Sequence, residues 1–191
     1  DTWQGSGLSL LTNGMDMVEA SNILGVDVMT GHWEFTYGEK IFLENLKKFN
    51  GDFVAQNISL TEEALFDGIE PVDDSNHFQK PYVIKTINNQ RVAVIGQAFP
   101  YTPIANPGRL IPNLTFGIRD NELQELIDLI KDKEDASLIV LLSHNGVDVD
   151  KKMASKVNGI DIIFGGHTHD VLPKPIEIIN NNSRTVILNS G

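Results

Sequence analysis

Four of the five histidines in this chain closely follow the carboxyl ends of three apolar, strand-like runs. These histidines are His32, His144, His167 and His169. The runs before them are VDVMT at 26–30, SLIVLLS at 137–143 and IDIIF at 160–164. Loops at such strand ends are the usual ligand sites of open α/β sheets, and neutral imidazoles with carboxylates suit zinc, manganese, iron or cobalt. A lone histidine more often serves packing or hydrogen bonding, but the shared position of four predicts a transition-metal site.

The segment GGHTHD, residues 165–170, carries two of these histidines. Gly165 and Gly166 have no Cβ, so the backbone can fold sharply and approach a neighbour closely. This predicts that the rings of His167 and His169 point towards one pocket. Asp170 has two roles of equal weight, which are to orient His169 or to cap the next turn.

The overall composition narrows the classes of partner. The 191 residues are 41% hydrophobic and 21% charged, which predicts an ordinary globular domain. A formal charge of −11 disfavours binding to nucleic-acid phosphates. It suits a divalent cation or simply solubility, and both alternatives stay open. The absence of cysteine excludes disulfides and thiolate metal ligands and leaves the compartment undecided. No apolar run approaches the roughly 20 residues that cross a membrane.

Helical and strand-like patterns alternate, which predicts an α/β fold with a partly mixed sheet. Amphipathic spacing predicts helices at 14–25, 40–49, 122–131 and 147–159. Strands are predicted at 26–30, 52–57, 82–87, 91–99, 137–143, 160–166, 176–179 and 185–188. The acidic, turn-rich segment 61–80 is expected to lie on the surface, with His77 exposed, and 99–113 to be an irregular proline-rich loop.

Four motifs carry a family resemblance. They are DTWQGS at 1–6, GHWEFTYG at 31–38, SHNG at 143–146 and GGHTHD at 165–170. Together they resemble, in the same order, the motifs of the calcineurin-like metallophosphoesterases in their 5′-nucleotidase branch. The resemblance implies a metallophosphoesterase-like sandwich of mixed β-sheets flanked by helices. It also implies that residues 1–191 are a partial catalytic domain, with N-terminal strands, the first metal motif and a C-terminal substrate domain lying outside this sequence.

The resemblance also implies two divalent metal ions. Asp1 matches the carboxylate that bridges them, and His32 occupies the position of an asparagine ligand. His144 and His167 match ligands of the same metal as His32. His169 matches a ligand of the other metal, whose remaining Asp and His would lie before residue 1.

The chain departs from the family motif Gly-Asn-His-Glu at 31–34, where it reads Gly-His-Trp-Glu. Trp33 replaces the histidine that is thought to protonate a leaving alkoxide, and such an acid typically contributes ~10²–10⁴-fold. A sulfur leaving group needs less help, since a cysteine thiol has a pKa of about 8.5. The departure therefore favours a sulfur leaving group. Glu34 is expected to orient a neighbouring ligand or loop, as carboxylates behind metal ligands do.

With IGQAFPYTPIANP at 95–107, the departures resemble one subgroup, the SoxB thiosulfohydrolases of the sulfur-oxidation system. This implies release of sulfate from a cysteine-S-thiosulfonate on a SoxYZ-type carrier protein, a dinuclear manganese centre and a periplasmic location. Trp33 is then an apolar wall beside the carrier arm or a packing residue under the ligand loop. The segment 99–113 lines the entrance for that arm or is an ordinary rigid loop.

Two other functions stay open. One is a 5′-nucleotidase or phosphodiesterase in which Trp33 is a tolerated substitution, and the other is a catalytically silent binding module. The chain begins at Asp1 without an initiator methionine, so we expect it to be an internal part of a longer protein. We also expect this part to be inactive or nearly so by itself.

Overall fold

Helices and strands alternate along the chain in the computed structural model, which describes residues 1–181 and 183–190. The α-helices are α1 (Gly7–Thr12), α2 (Met15–Leu24), α3 (Glu39–Leu46), α4 (Glu62–Phe66), α5 (Thr102–Ala105), α6 (Asp120–Lys133) and α7 (Val147–Lys156). The strands are β1 (Val28–Met29), β2 (Asp52–Phe53), β3 (Ile58–Leu60), β4 (Tyr82–Ile87), β5 (Gln90–Gln97), β6 (Leu114–Phe116), β7 (Leu138–Ser143), β8 (Ile162–Gly165), β9 (Ile176–Asn180) and β10 (Ser183–Asn189). Short 3₁₀ helices lie at Trp33–Tyr37 and Gly108–Leu110. None of the described helices is both long and apolar enough to span a bilayer.

The main sheet has six strands in the order β4-β5-β7-β8-β10-β9. Its four central strands run parallel, and the outer strands β4 and β9 are antiparallel to their neighbours. The register pairs Gln97 with Ser143 and Asn189 with Gly165. The parallel strands therefore end at one edge, which brings the loops after β7 and β8 together. The predicted α/β class with a mixed sheet is confirmed.

Helices α6 and α7 belong to the apolar core of this sheet. Leu123, Ile127 and Ile130 of α6 are fully buried, at the i, i+4, i+7 spacing of one helix face. They pack in one core cluster with Ile139 and Leu141 of the central strand β7. A buried aliphatic side chain contributes about 1.5–3 kcal/mol relative to an exposed one, so this face accounts for much of the attachment of α6.

A second core is built largely from aromatic rings of the first half of the chain. Trp3 is fully buried, with its ring centroid 6.0 Å from those of Phe42 and Phe49. Phe35 lies 4.5 Å from Phe42, in the same cluster. Trp3 is two residues from Asp1 and Phe35 is three from His32, so this core anchors both site segments.

Several local predictions can be compared with the structure. The hairpin of β4 and β5 is confirmed, and Asn88 and Asn89 make its turn at φ 49° and 63°. The prediction that 99–113 is irregular is wrong in part, because α5 and a 3₁₀ turn lie within it. The prediction that His77 is exposed is wrong, because it is only 8% exposed and its Nδ1 lies 2.7 Å from Asp73 Oδ2. A hydrogen bond between the His77 ring and the Asp73 carboxylate, together with the strand bridge Ser59–His77, holds this residue inside.

Candidate metal centre

Three imidazoles converge at the edge where the strands end. His32 follows β1, His144 follows β7 and His167 follows β8. Their candidate ligand nitrogens lie within 4.8 Å of one another. The ring centroids are 5.1 Å apart for His32–His144, 5.1 Å for His32–His167 and 5.2 Å for His144–His167. These separations allow the three rings to bind a single ion.

Asp1 joins the three imidazoles from the start of the chain. Its Oδ1 lies 2.8 Å from His32 Nδ1, and its Oδ2 lies 3.1 Å from His144 Nε2. Both contacts are short, yet both nitrogens are buried and neither has hydrogen-bond geometry to any described residue. The Nδ1 atom of His167 is also buried without a partner. Buried polar atoms are normally paired, so a set of three nitrogens and a carboxylate fits a divalent transition metal.

The electrostatic state of the rings suits metal binding. Burial, assisted by positive charge on neighbouring groups, lowers the pKa of His32, His144 and His167 to about 4. All three imidazoles are therefore neutral near pH 7, with lone pairs available. A metal ligand must be deprotonated, so proton competition at neutral pH is small.

Glu34 ties the segment of Asp1 to the loop of His32. The side chain is 1% exposed. Its Oε1 accepts from the backbone N–H groups of Thr2 at 2.6 Å and Trp3 at 3.2 Å, and its Oε2 accepts from the His32 N–H at 2.7 Å. Burial raises the pKa of the Glu34 carboxyl, but the α-amino group and the N–H donors outweigh it and the net pKa is lowered. The carboxylate is thus a stable buried acceptor that positions two predicted ligands.

Two aromatic side chains pack against the imidazoles of His32 and His167. Trp33 is half-buried and stacks on His32 with a centroid distance of 4.4 Å and an interplanar angle of 28°. Phe99 stacks on His167 at 3.9 Å and lies 4.3 Å from His32. The Phe99 N–H donates to the carbonyl of Gly31, which fixes this contact. Trp33 therefore contacts a candidate ligand, and Phe99 was not predicted because stacking partners leave no local sequence pattern.

Asp150 supports the loop of His144 and was also not predicted. It is fully buried, and its Oδ1 accepts from the Ser143 hydroxyl at 2.5 Å, which in turn accepts from the Asn145 N–H. Burial raises its pKa to about 6, although bonds from Ser143 and Asn145 and the charge of His144 act against the rise. A Cβ on Gly165 would lie 2.6 Å from Asp150 Oδ2. The sequence signal that could have identified Asp150 is an acidic residue on the inner face of the predicted amphipathic helix at 147–159.

Acidification from about pH 7 to about pH 5 is expected to destabilise the metal-free protein, because the unfolded histidines take up protons in this range while the native ones do not. The ordinary pKa of 6.5 falls to about 4 for His32, His144 and His167 in the native state. Asp150, with its pKa raised to about 6, acts in the opposite sense but is one group against three. Urea unfolding midpoints measured with a chelator at both pH values test this. His144→Ala should show a smaller decrease, and equal decreases in both proteins would contradict the assignment.

The GGHTHD segment adopts a different turn from the predicted one. His167 and His169 take the left-handed conformation, with φ of 75° and 53°, and the glycines do not. The prediction that Gly165 and Gly166 serve the sharp turn is therefore wrong. Their role is close approach, because a Cβ on Gly166 would lie 3.3 Å from His144 Nδ1.

His169 and Asp170 lie outside the group of three imidazoles. Both are exposed, and the structure shows no hydrogen bond between them within residues 1–181 and 183–190. His169 is close enough for its charge to lower the pKa of His144 and His167. It therefore lies beside the candidate site without sharing the ion that those rings could hold.

The chain is similar in sequence to several known enzymes. No protein-family model matches it. The 5′-nucleotidase of Bos taurus is 31% identical over 175 residues, which are 90% of this chain and 29% of that protein. The nucleotide phosphoesterase YfkN of Bacillus subtilis is 26% identical over 92% of this chain and 13% of its own length. The chain is thus similar in sequence to a 5′-nucleotidase and to a nucleotide phosphoesterase over about nine-tenths of its own length.

The chain is also similar to a solved structure of the sulfate thiohydrolase SoxB from Thermus thermophilus. The two are 36% identical with a TM-score of 0.85, over 99% of this chain and 32% of that one. A 5′-nucleotidase precursor from the same organism superposes with a TM-score of 0.80 at 24% identity, over 97% of this chain and 37% of that one, and supports the fold alone. This chain thus spans well under half the length of these proteins.

Proposed function

We propose that this chain is the metal-binding part of a hydrolase that releases sulfate from a cysteine-S-thiosulfonate on a SoxYZ-type carrier protein. The observation that supports it best is His32 beside Trp33. The imidazole joins the candidate ligands, and the indole stacked on it occupies the position of the usual proton donor. The 36% identity to SoxB over 99% of the chain gives further support. A periplasmic location and manganese belong to the same proposal.

The candidate ligands fit the cation chemistry of this reaction. Asp1, His32, His144 and His167 would hold one ion, with Asp1 shared and His169 contributing to a second. Two divalent ions in such a site supply charge that binds an anionic sulfonate and favours ionisation of water. The protein's own contribution is positional, since Glu34 holds Asp1 and His32 in one frame.

Atoms and electrons balance in the proposed hydrolysis, and the reaction needs no general acid. The oxygen of water forms a bond to the terminal sulfur, which is the sulfonate sulfur. The bond between this sulfur and the neighbouring sulfur breaks. The electron pair of that bond leaves with the neighbouring sulfur, which stays on the cysteine as a persulfide. The remaining protons pass to solvent. Trp33 carries no titratable proton and gives the leaving group an apolar, rigid neighbour. An alkoxide at the same position would lack the protonation that it needs.

A 5′-nucleotidase or phosphodiesterase is the second candidate function. It is favoured by the curated relatives, since the bovine 5′-nucleotidase is 31% identical over 175 residues. In this case Trp33 would be tolerated because the cations alone activate the leaving group. A catalytically silent binding module is the third candidate.

Substrate preference in the full-length, metal-loaded protein tests the three candidates. We expect sulfate release from a thiosulfonated carrier to exceed phosphate release from nucleoside monophosphates. Trp33→His should raise the phosphatase rate, by up to ~10²-fold if the new imidazole acts as an acid, and Trp33→Phe serves as the control without a proton. Dominant nucleotide turnover in the wild type would support the second candidate instead. Bound metal with neither activity would support the third.

A further inference from the structure

A cavity with polar and apolar lining lies beside β3 and the start of α6, and none of the three imidazoles lines it. Its volume is about 280 Å³. The polar residues that line it are Gln56, Ser75, His77, Arg119, Glu122 and Glu125. Gln56 and His77 are buried and Arg119 is half-buried, whereas Ser75 and the two glutamates are exposed. Side chains that can donate hydrogen bonds thus lie deeper than the acidic side chains at the rim.

Gln56 has an unpaired hydrogen-bond donor. The side chain is 1% exposed, and its Nε2 has no partner among the described residues. Its orientation follows from Gln97, whose Nε2 donates to the carbonyl of Ile118 at 3.2 Å and to Gln56 Oε1 at 2.6 Å. The carbonyl oxygen of Ile118 can only accept, so the Gln97 side-chain atom that contacts it must be the amide nitrogen. The same nitrogen contacts Gln56, so the Gln56 atom at that contact must be the oxygen. The Gln56 amide nitrogen is therefore free to donate, and leaving a buried donor unpaired is unfavourable.

Arg119 supplies positive charge next to this donor. Its guanidinium donates to the Ser59 hydroxyl and, at 3.4 Å, to the carbonyl of Thr115. It forms no ion pair with a carboxylate within the described residues. Burial lowers the pKa of Arg119 and the charge of Glu122 only partly offsets this. The guanidinium therefore has capacity for an anionic partner.

We propose that this cavity binds a small oxoanion, through Gln56 Nε2 and the Arg119 guanidinium. A sulfate, phosphate or carboxylate group would accept from both donors, and hydrogen bonds between charged groups are about twice as strong as neutral ones. Glu122 and Glu125 are exposed, so water and salt weaken their repulsion of the anion. The His77 ring, held by Asp73, forms a fixed wall of the cavity. This site does not depend on the proposed sulfate-releasing activity.

Titration of the metal-free full-length protein with sulfate, phosphate and acetate separately tests the proposal. With a chelator present, ¹⁵N NMR should show saturable shifts of the Gln56 side-chain amide and the Arg119 Nε–H for at least one anion. The three titrations identify which oxoanion is preferred. The absence of a saturable shift at these two groups with all three anions would overturn the proposal.

Matched variants separate a specific site from general charge screening. Gln56→Glu keeps the acceptor that Gln97 needs and replaces the free donor with a negative oxygen, so binding should weaken by at least about tenfold. Arg119→Gln should weaken binding similarly, and Arg119→Lys should retain part of it. Arg109→Gln makes the same charge change at an exposed arginine outside the cavity, and should leave binding unchanged. Equal losses in Arg109→Gln and Arg119→Gln would overturn the proposal, as would unchanged binding in a folded Gln56→Glu protein.

Discussion

His144→Ala is expected to lower the affinity for a divalent transition metal by at least about 100-fold, since loss of an outer hydrogen-bond partner of a ligand alone costs 10–100-fold. The ring centroid of His144 lies 5.1 Å from that of His32 and 5.2 Å from that of His167, and its Nε2 lies 3.1 Å from Asp1 Oδ2. Its removal leaves two imidazoles and one carboxylate for the ion. Titration with Co²⁺ followed by absorption, and with Mn²⁺ by calorimetry, would measure the loss.

His77→Ala provides the matched control for this prediction. It also removes a buried imidazole beside a carboxylate, but one that lies outside the group of three. Its metal affinity should equal that of the wild type. His169→Ala distinguishes the two proposed metal sites. In the full-length protein it should reduce the metal content by one ion and leave the site of His144 occupied. Wild-type affinity in His144→Ala would refute the candidate centre.

Glu34→Ala is expected to lower the free energy of unfolding by roughly 2–6 kcal/mol, because the two buried N–H groups of Trp3 and His32 lose their acceptor and each costs about 1–3 kcal/mol. The part-buried N–H group of Thr2 loses the same acceptor. Marginal stabilities of about 5–15 kcal/mol make this a large fraction of the total. Metal affinity should fall as well, because the segments of Asp1 and His32 lose their common anchor.

Glu34→Gln provides a graded test of the same contact. Its amide oxygen can still accept from Thr2 and Trp3, but its NH₂ group would meet the His32 N–H, so we expect a loss of about 1–3 kcal/mol. Glu44→Ala changes an exposed glutamate of α3, and should stay within about 0.5 kcal/mol of the wild type. Urea unfolding of the three variants gives the ranking. A Glu34→Ala protein as stable as Glu44→Ala would contradict the anchoring role.

The amino-acid sequence by itself determined most of the elements and the location of the site. The spacing of Leu123, Ile127 and Ile130 predicted α6, and the continuous apolar run at 137–143 predicted a central strand. Both signals are local, because a residue's burial follows the period of its own helix or strand. The polar residues after the strands likewise placed His144 and His167 at one edge of a sheet.

Tertiary structure alone decided which groups meet there. The parallel register of β5, β7 and β8 brings the loops after β7 and β8 together. The contact of Asp1 with His32, the stacking of Phe99 on His167 and the exclusion of His169 from the group of three also depend on packing between distant segments. Such contacts leave no periodic trace in the chain, because each partner is selected by the shape and charge of a surface that another element supplies.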